Sequence, residues 1–117
     1  MRPPNPITVC FAAPDDDSLG PVLQSRPGVV VRSHPRLSGA ALGKAAAECE
    51  ILNTRAVQVV DRDVFETASG RLRFVVQASA GIDNIDLEAA QAHRVTVIQP
   101  DPGNATAVAE WTLLHLL

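Results

Sequence analysis

Short apolar runs rich in β-branched residues recur along the chain at residues 7–12, 29–32, 50–54, 73–78 and 95–98, and runs of that length and composition read as strands. Stretches with helical spacing lie between them, at residues 18–24, 38–48, 61–68 and 86–93. Each is opened or preceded by Ser18, Ser38, Asp61 or Asp86, whose side-chain oxygen can accept from the free N–H groups of a first turn. Strand and helix alternate throughout. Val29-Val30-Val31 and Phe74-Val75-Val76 are unbroken apolar triplets, as expected of strands covered on both faces, and the connections are long enough for right-handed crossovers. The pattern predicts an α/β fold, a doubly wound five-stranded parallel sheet in the flavodoxin-like order 2-1-3-4-5.

The last segment breaks this rhythm. Asn104 can cap a helix that carries Ala105, Val108, Ala109, Trp111, Leu113, Leu114, Leu116 and Leu117, with Glu110 and His115 as its ionisable groups. A helix apolar almost all round must be covered on most sides, and no Gly, Asn or basic residue closes it at Leu117. We therefore expect a C-terminal apolar helix whose covering surface lies in residues beyond Leu117 or on a second subunit, truncation within an element being the simpler case.

With 117 residues and 46% apolar content, one compact domain is expected. A net charge of -3 with scattered Lys and Arg offers no stripe to neutralise phosphates, and Phe11, Phe65, Phe74 and Trp111 form no row on which bases could stack. Nucleic acid is thereby excluded as the expected partner. No apolar stretch reaches the roughly 20 residues of a membrane span, and residues 7–13 read as a first strand rather than a signal peptide. A soluble, cytoplasmic protein with no membrane partner is expected. Cys10 and Cys49 lack metal-ligand spacing and read as buried small hydrophobes.

Candidate chemistry gathers at the carboxyl ends of the third and fourth strands, where ligands bind in open α/β sheets. After the fourth strand, the small residues Ser79, Ala80 and Gly81 let a ligand approach backbone N–H groups that could hold a carboxylate or phosphate oxygen; the same residues also suit an ordinary βα turn. Arg55, closing the third strand, could grip an anion in that crevice or simply be an exposed strand-end arginine. Asp15-Asp16-Asp17 could bind a divalent cation but reads better as a solvated loop, and metal is not expected. Gly39-Ala40-Ala41-Leu42-Gly43-Lys44-Ala45 fails as a phosphate loop, because its glycines are one residue too close and Ala45 has no hydroxyl. His34, His93 and His115 have no nucleophile or carboxylate spaced to complete a catalytic set. The dinucleotide fingerprint Gly-x-Gly-x-x-Gly is absent.

Taken together, Leu72-Arg73-Phe74-Val75-Val76-Gln77-Ala78-Ser79-Ala80-Gly81-Ile82-Asp83-Asn84-Ile85-Asp86-Leu87-Glu88-Ala89-Ala90 resembles the D-isomer-specific 2-hydroxyacid dehydrogenases. The resemblance extends back to Ile51-Leu52-Asn53-Thr54-Arg55-Ala56 and forward through Val95-Thr96-Val97-Ile98 to Pro102-Gly103-Asn104-Ala105-Thr106-Ala107-Val108-Ala109-Glu110, and it is weak before Glu50. It implies a substrate-binding domain over residues 1–102, followed at 103–117 by the first helix of an NAD-binding domain. It further implies a small 2-hydroxy or 2-keto acid substrate facing Arg55, Ala56, Ser79, Ala80, Gly81 and Asn104. Val108 would lie on the nicotinamide side, NAD or NADP would be the cofactor, and the full-length form would be a homodimer. Ser79 stands where the family usually has glycine, Ala56 where it has serine, and Gln99-Pro100-Asp101 disturbs a usual Asn-x-Pro spacing. The family's catalytic Arg, Glu and His fall beyond the region matched, so no catalytic residue is assigned and the chain is expected to be inactive alone. The alternative is a stand-alone, non-catalytic flavodoxin-like binding or interaction module. A phosphorylatable receiver domain is disfavoured, since Asn53-Thr54 and Gln99-Pro100 stand where it needs Asp and Lys.

Overall fold

The computed structural model describes residues 6–12, 19–34, 36–55, 58–77, 81–99, 110 and 113–115. Its elements run β1 (Ile7–Phe11), α1 (Leu19–Gln24), β2 (Val29–Ser33), α2 (Gly39–Ala46), β3 (Ile51–Thr54), α3 (Arg62–Thr67), β4 (Phe74–Gln77), α4 (Leu87–Ala92) and β5 (Thr96–Ile98). Each strand and helix falls within the stretch that the hydrophobic pattern predicts, except that β2 runs one residue further, to Ser33. The five strands form one all-parallel sheet in the order β2-β1-β3-β4-β5. β1 pairs with both β2 and β3, so the chain builds outward in both directions from a central start. In open α/β sheets ligands bind beside such a reversal, at the carboxyl end of the strands.

Side chains alternate between the two faces of a strand, and the register lines them up into rows. Cys10, Leu52 and Val75 are successive partners across β1, β3 and β4, and they join Leu42, Val64, Phe65 and Ala89 in the core on the side of α2, α3 and α4. Val9, Phe11, Ile51 and Val76 point the other way and pack with Leu23 of α1. The inner strands are thus sandwiched, as their apolar runs require. β2 departs from that expectation. As an edge strand it is only partly covered, and Val30 is 39% exposed, although it belongs to an apolar triplet.

Leu113, in the apolar C-terminal segment, finds cover within the chain. Glu110 and Leu113–His115 are helical, and Leu113 is fully buried with Val9, Phe11, Leu23, Ile51 and Val76. The surface that the sequence leaves to missing residues or a second subunit is supplied, for this residue, by the chain's own sheet.

Helix starts follow the expected chemistry in two cases out of the three described. Asp61 accepts from the Val64 N–H at 3.1 Å and Asp86 from the Ala89 N–H at 2.9 Å, whereas Ser38 precedes α2 in extended backbone without a side-chain cap. Ser18 lies outside the described residues. Asp61→Ala should lower stability by about 1 kcal/mol, to be read as a lower urea midpoint at unchanged slope. Glycine serves packing in α2: a Cβ on Gly43 would stand 2.9 Å from Thr67 Cβ, so α2 and α3 approach at that point as closely as side chains permit. Cys10 and Cys49 are free and buried, as expected. A hydrogen bond with the Cys10 thiol, and then burial, push the Cys49 thiol well above its ordinary value, so it stays protonated and unreactive.

Candidate functional site

The carboxyl ends of β3 and β4, and the turn after β3, carry buried polar side chains. Thr54 and Gln77 are wholly buried, and Gln58 is 3% exposed. Burying hydroxyls and carboxamides is costly unless every group is paired, and here the pairing fixes the direction of each amide. Gln58 Oε1 accepts from the Arg55 N–H at 2.9 Å, which turns its Nε2 to donate to Ala12 O at 2.9 Å. Asn84 Nδ2 donates to Gln58 O at 2.7 Å and to Arg55 O at 3.3 Å. Its Oδ1 is left to accept from Gln77 Nε2 at 2.7 Å, and the same nitrogen donates to Gly81 O at 3.2 Å. The Thr54 hydroxyl then donates to Gln77 Oε1 at 2.8 Å. Backbone carbonyls can only accept, so reversing any one amide would set oxygen against oxygen. Three carboxamides in a single orientation therefore tie together β1, the turn after β3 and the turn after β4.

A short parallel ladder runs alongside. The Val60 N–H donates to Asn84 O at 2.8 Å and the Asp86 N–H to Val60 O at 2.9 Å, joining Val60 and Ile85 as a bridge. At Gly81 φ is +82°, in the left-handed region, and an added Cβ would meet no atom within 4 Å. Glycine is thus required there by backbone conformation and not by lack of room. Arg55 is partly buried at the end of β3 and pairs with no carboxylate among the described residues.

Of the residues singled out from sequence, Arg55 and Gly81 are brought to the same end of the sheet and joined through Asn84 and Gln77. Ala56, Ser79, Ala80, Asn104 and Val108 lie outside the described residues, as does Asp15-Asp16-Asp17. Sequence reasoning missed Gln58, Gln77 and Asn84 as site residues. The available signal was Gln77, a carboxamide closing the apolar run Phe74-Val75-Val76.

The described residues do not fit a dinucleotide. Gly43 lies against Thr67 at the α2–α3 contact, so the glycines of α2 frame no phosphate loop. The sequence after β1 offers three carboxylates where a pyrophosphate would need amide N–H groups. Among the described residues no group of three or more His, Cys, Asp or Glu is placed to hold a metal ion. No described helix is long and apolar enough to cross a membrane. What the end of the sheet can do is hold a small anion between Arg55, which pairs with no carboxylate among the described residues, and the backbone at Gly81.

Comparison with known proteins bears on this end of the sheet. The model for the D-isomer specific 2-hydroxyacid dehydrogenase catalytic domain matches residues 9–113. The chloroplastic D-3-phosphoglycerate dehydrogenase 2 of Arabidopsis thaliana is 45% identical over 74 residues, covering 63% of this chain and 12% of that protein. The D-3-phosphoglycerate dehydrogenase of Rattus norvegicus is 37% identical over 100 residues, covering 82% of this chain and 18% of that protein. Among solved structures, the PH0520 protein of Pyrococcus horikoshii OT3 superposes with a TM-score of 0.75 at 27% identity, covering 97% of this chain and 32% of that one. The chain thus spans only a small part of the curated relatives it matches.

Proposed function

Because this chain belongs to the D-isomer specific 2-hydroxyacid dehydrogenase family, we propose that it is the substrate-binding portion of an NAD-dependent oxidoreductase acting on a small 2-hydroxy or 2-keto acid. The observation that carries this reading is Arg55, without a carboxylate partner among the described residues, joined by fixed amides to the left-handed Gly81. The Arg55 guanidinium takes the substrate carboxylate in a charge-assisted pair. Backbone N–H groups of Ser79, Ala80 and Gly81 complete the anion site, beside Ala56. Asn104 contacts the acid from the connecting segment, and Val108 faces the nicotinamide.

Residues 1–102 form the substrate domain in this reading, and 103–117 begin the first helix of an NAD-binding domain. NAD or NADP, held by residues outside this chain, would supply the hydride chemistry. The chain's own share is to bind the acid, orient it and exclude water, so alone it is inactive. The full-length form pairs as a homodimer in the cytoplasm, where two free buried thiols are at home.

Titrating the ¹⁵N-labelled chain with sodium pyruvate should shift the amides of both Arg55 and Gly81. Arg55→Gln should weaken that response by about tenfold or more. Were neither amide to move at about 10 mM pyruvate, where a site with roughly 3 kcal/mol of binding free energy half-fills, the substrate reading would fall and a non-catalytic module would take its place.

A further inference from the structure

Two turns that must meet one carboxylate come from different strands, and something has to set their relative orientation. Within each turn the bonds are local: Gln58 holds the Arg55 N–H, and Gln77 holds Gly81 O. The ladder at Val60 and Ile85 lies downstream of both contacts. The Thr54–Gln77 pair joins the strand ends beneath them. The Asn84 side chain spans the gap between the turns themselves, with Arg55 O and Gln58 O on one side and Gln77 on the other. It does so with donor and acceptor used at once, a combination that a carboxylate, a hydroxyl of shorter reach or an alkyl group cannot reproduce.

We propose that Asn84 is a positioning residue, whose carboxamide fixes the Arg55 turn against the Gly81 turn so that guanidinium and backbone N–H groups converge on one carboxylate. This rests on the reading of that face as a carboxylate site. Asn84 does not touch the substrate; it acts through Arg55 and through Gln77. A shared anchor also makes the two halves of the anion site dependent on each other. Loss of the carboxamide frees the Arg55 carbonyl and turns the guanidinium away without disturbing the strands.

The test compares the intact ¹⁵N-labelled chain with its N84A and N84D forms, reading residual dipolar couplings at Arg55, Gln58, Gly81 and Ile82 and, separately, pyruvate affinity. In the unaltered chain one alignment tensor should fit the strands and both turns. In either variant the β1, β3 and β4 couplings should stay fixed while those of Arg55 and Gln58 depart from the common tensor, and pyruvate should bind about tenfold more weakly. N84D keeps the size of the side chain, so it answers the question if N84A fails to fold. Couplings at Arg55 and Gln58 that remain on the common tensor in a folded variant overturn the proposal, whatever pyruvate does. If the unaltered chain ignores pyruvate, the carboxylate reading fails, and the couplings still decide whether Asn84 orients the turns.

Discussion

Leu113→Ala should destabilise the chain by about 2–5 kcal/mol, the range for truncating a fully buried leucine. Leu113 is 0% exposed and sits with Val9, Phe11, Leu23, Ile51 and Val76 on the face of the sheet that also receives α1. Alanine is an excellent helix former, so local propensity is kept and the loss measures the cavity and the forfeited burial. Urea unfolding followed by circular dichroism gives the number, and Leu87→Ala supplies the control. Leu87 is 46% exposed at the start of α4, and its truncation should cost about 0.5 kcal/mol or less. If the two variants cost the same, the terminal segment is no part of this core, and the packing of Leu113 would have to be abandoned as a stabilising contact.

Gln77→Leu should cost about 2–4 kcal/mol even though leucine is close to glutamine in size. The substitution leaves the Thr54 hydroxyl without its acceptor and Asn84 Oδ1 without its donor, and each buried group left unpaired costs about 1–3 kcal/mol. A double-mutant cycle separates this cause from simple misfit. Thr54→Val in the Gln77→Leu background removes the stranded hydroxyl, so the pair should cost less than the sum of the singles by about 1 kcal/mol. Strict additivity would mean that the 2.8 Å contact between Thr54 and Gln77 carries no energy of its own.

The sheet could be read from the sequence because each strand needed only local information. An apolar run such as Phe74-Val75-Val76 implies burial on both faces, and strands joined by helical crossovers leave few sheet orders available. Asp61 and Asp86 were legible as caps for the same reason, since each bonds to an N–H three residues on. Val30 was misjudged, because nothing local distinguishes an edge strand from an inner one. The candidate site was legible only in part. Arg55 and Gly81 announce themselves by charge and by turn chemistry. Gln58 and Asn84 sit among loop residues where carboxamides usually face water, and their partners lie far away in sequence: 46 residues separate Gln58 from Ala12, and 26 separate Asn84 from Gln58. Leu113 was read as part of a helix covered by residues beyond Leu117 or by a second subunit, whereas it is buried against the chain's own sheet. The cover that Leu113 finds on β1, β3 and β4 exists only once the chain has folded.

That last packing arrangement bears on how the protein is made. Synthesis proceeds from Val9 toward Leu113, and domains begin to fold as they leave the ribosome. The face covered by α2, α3 and α4 can close while translation continues. The opposite face, with Val9, Phe11, Ile51 and Val76, stays incompletely covered until Leu113 has emerged. A nascent chain stalled just short of that residue should display a hydrophobic strip to chaperones and proteases, and emergence of Leu113 should make it disappear.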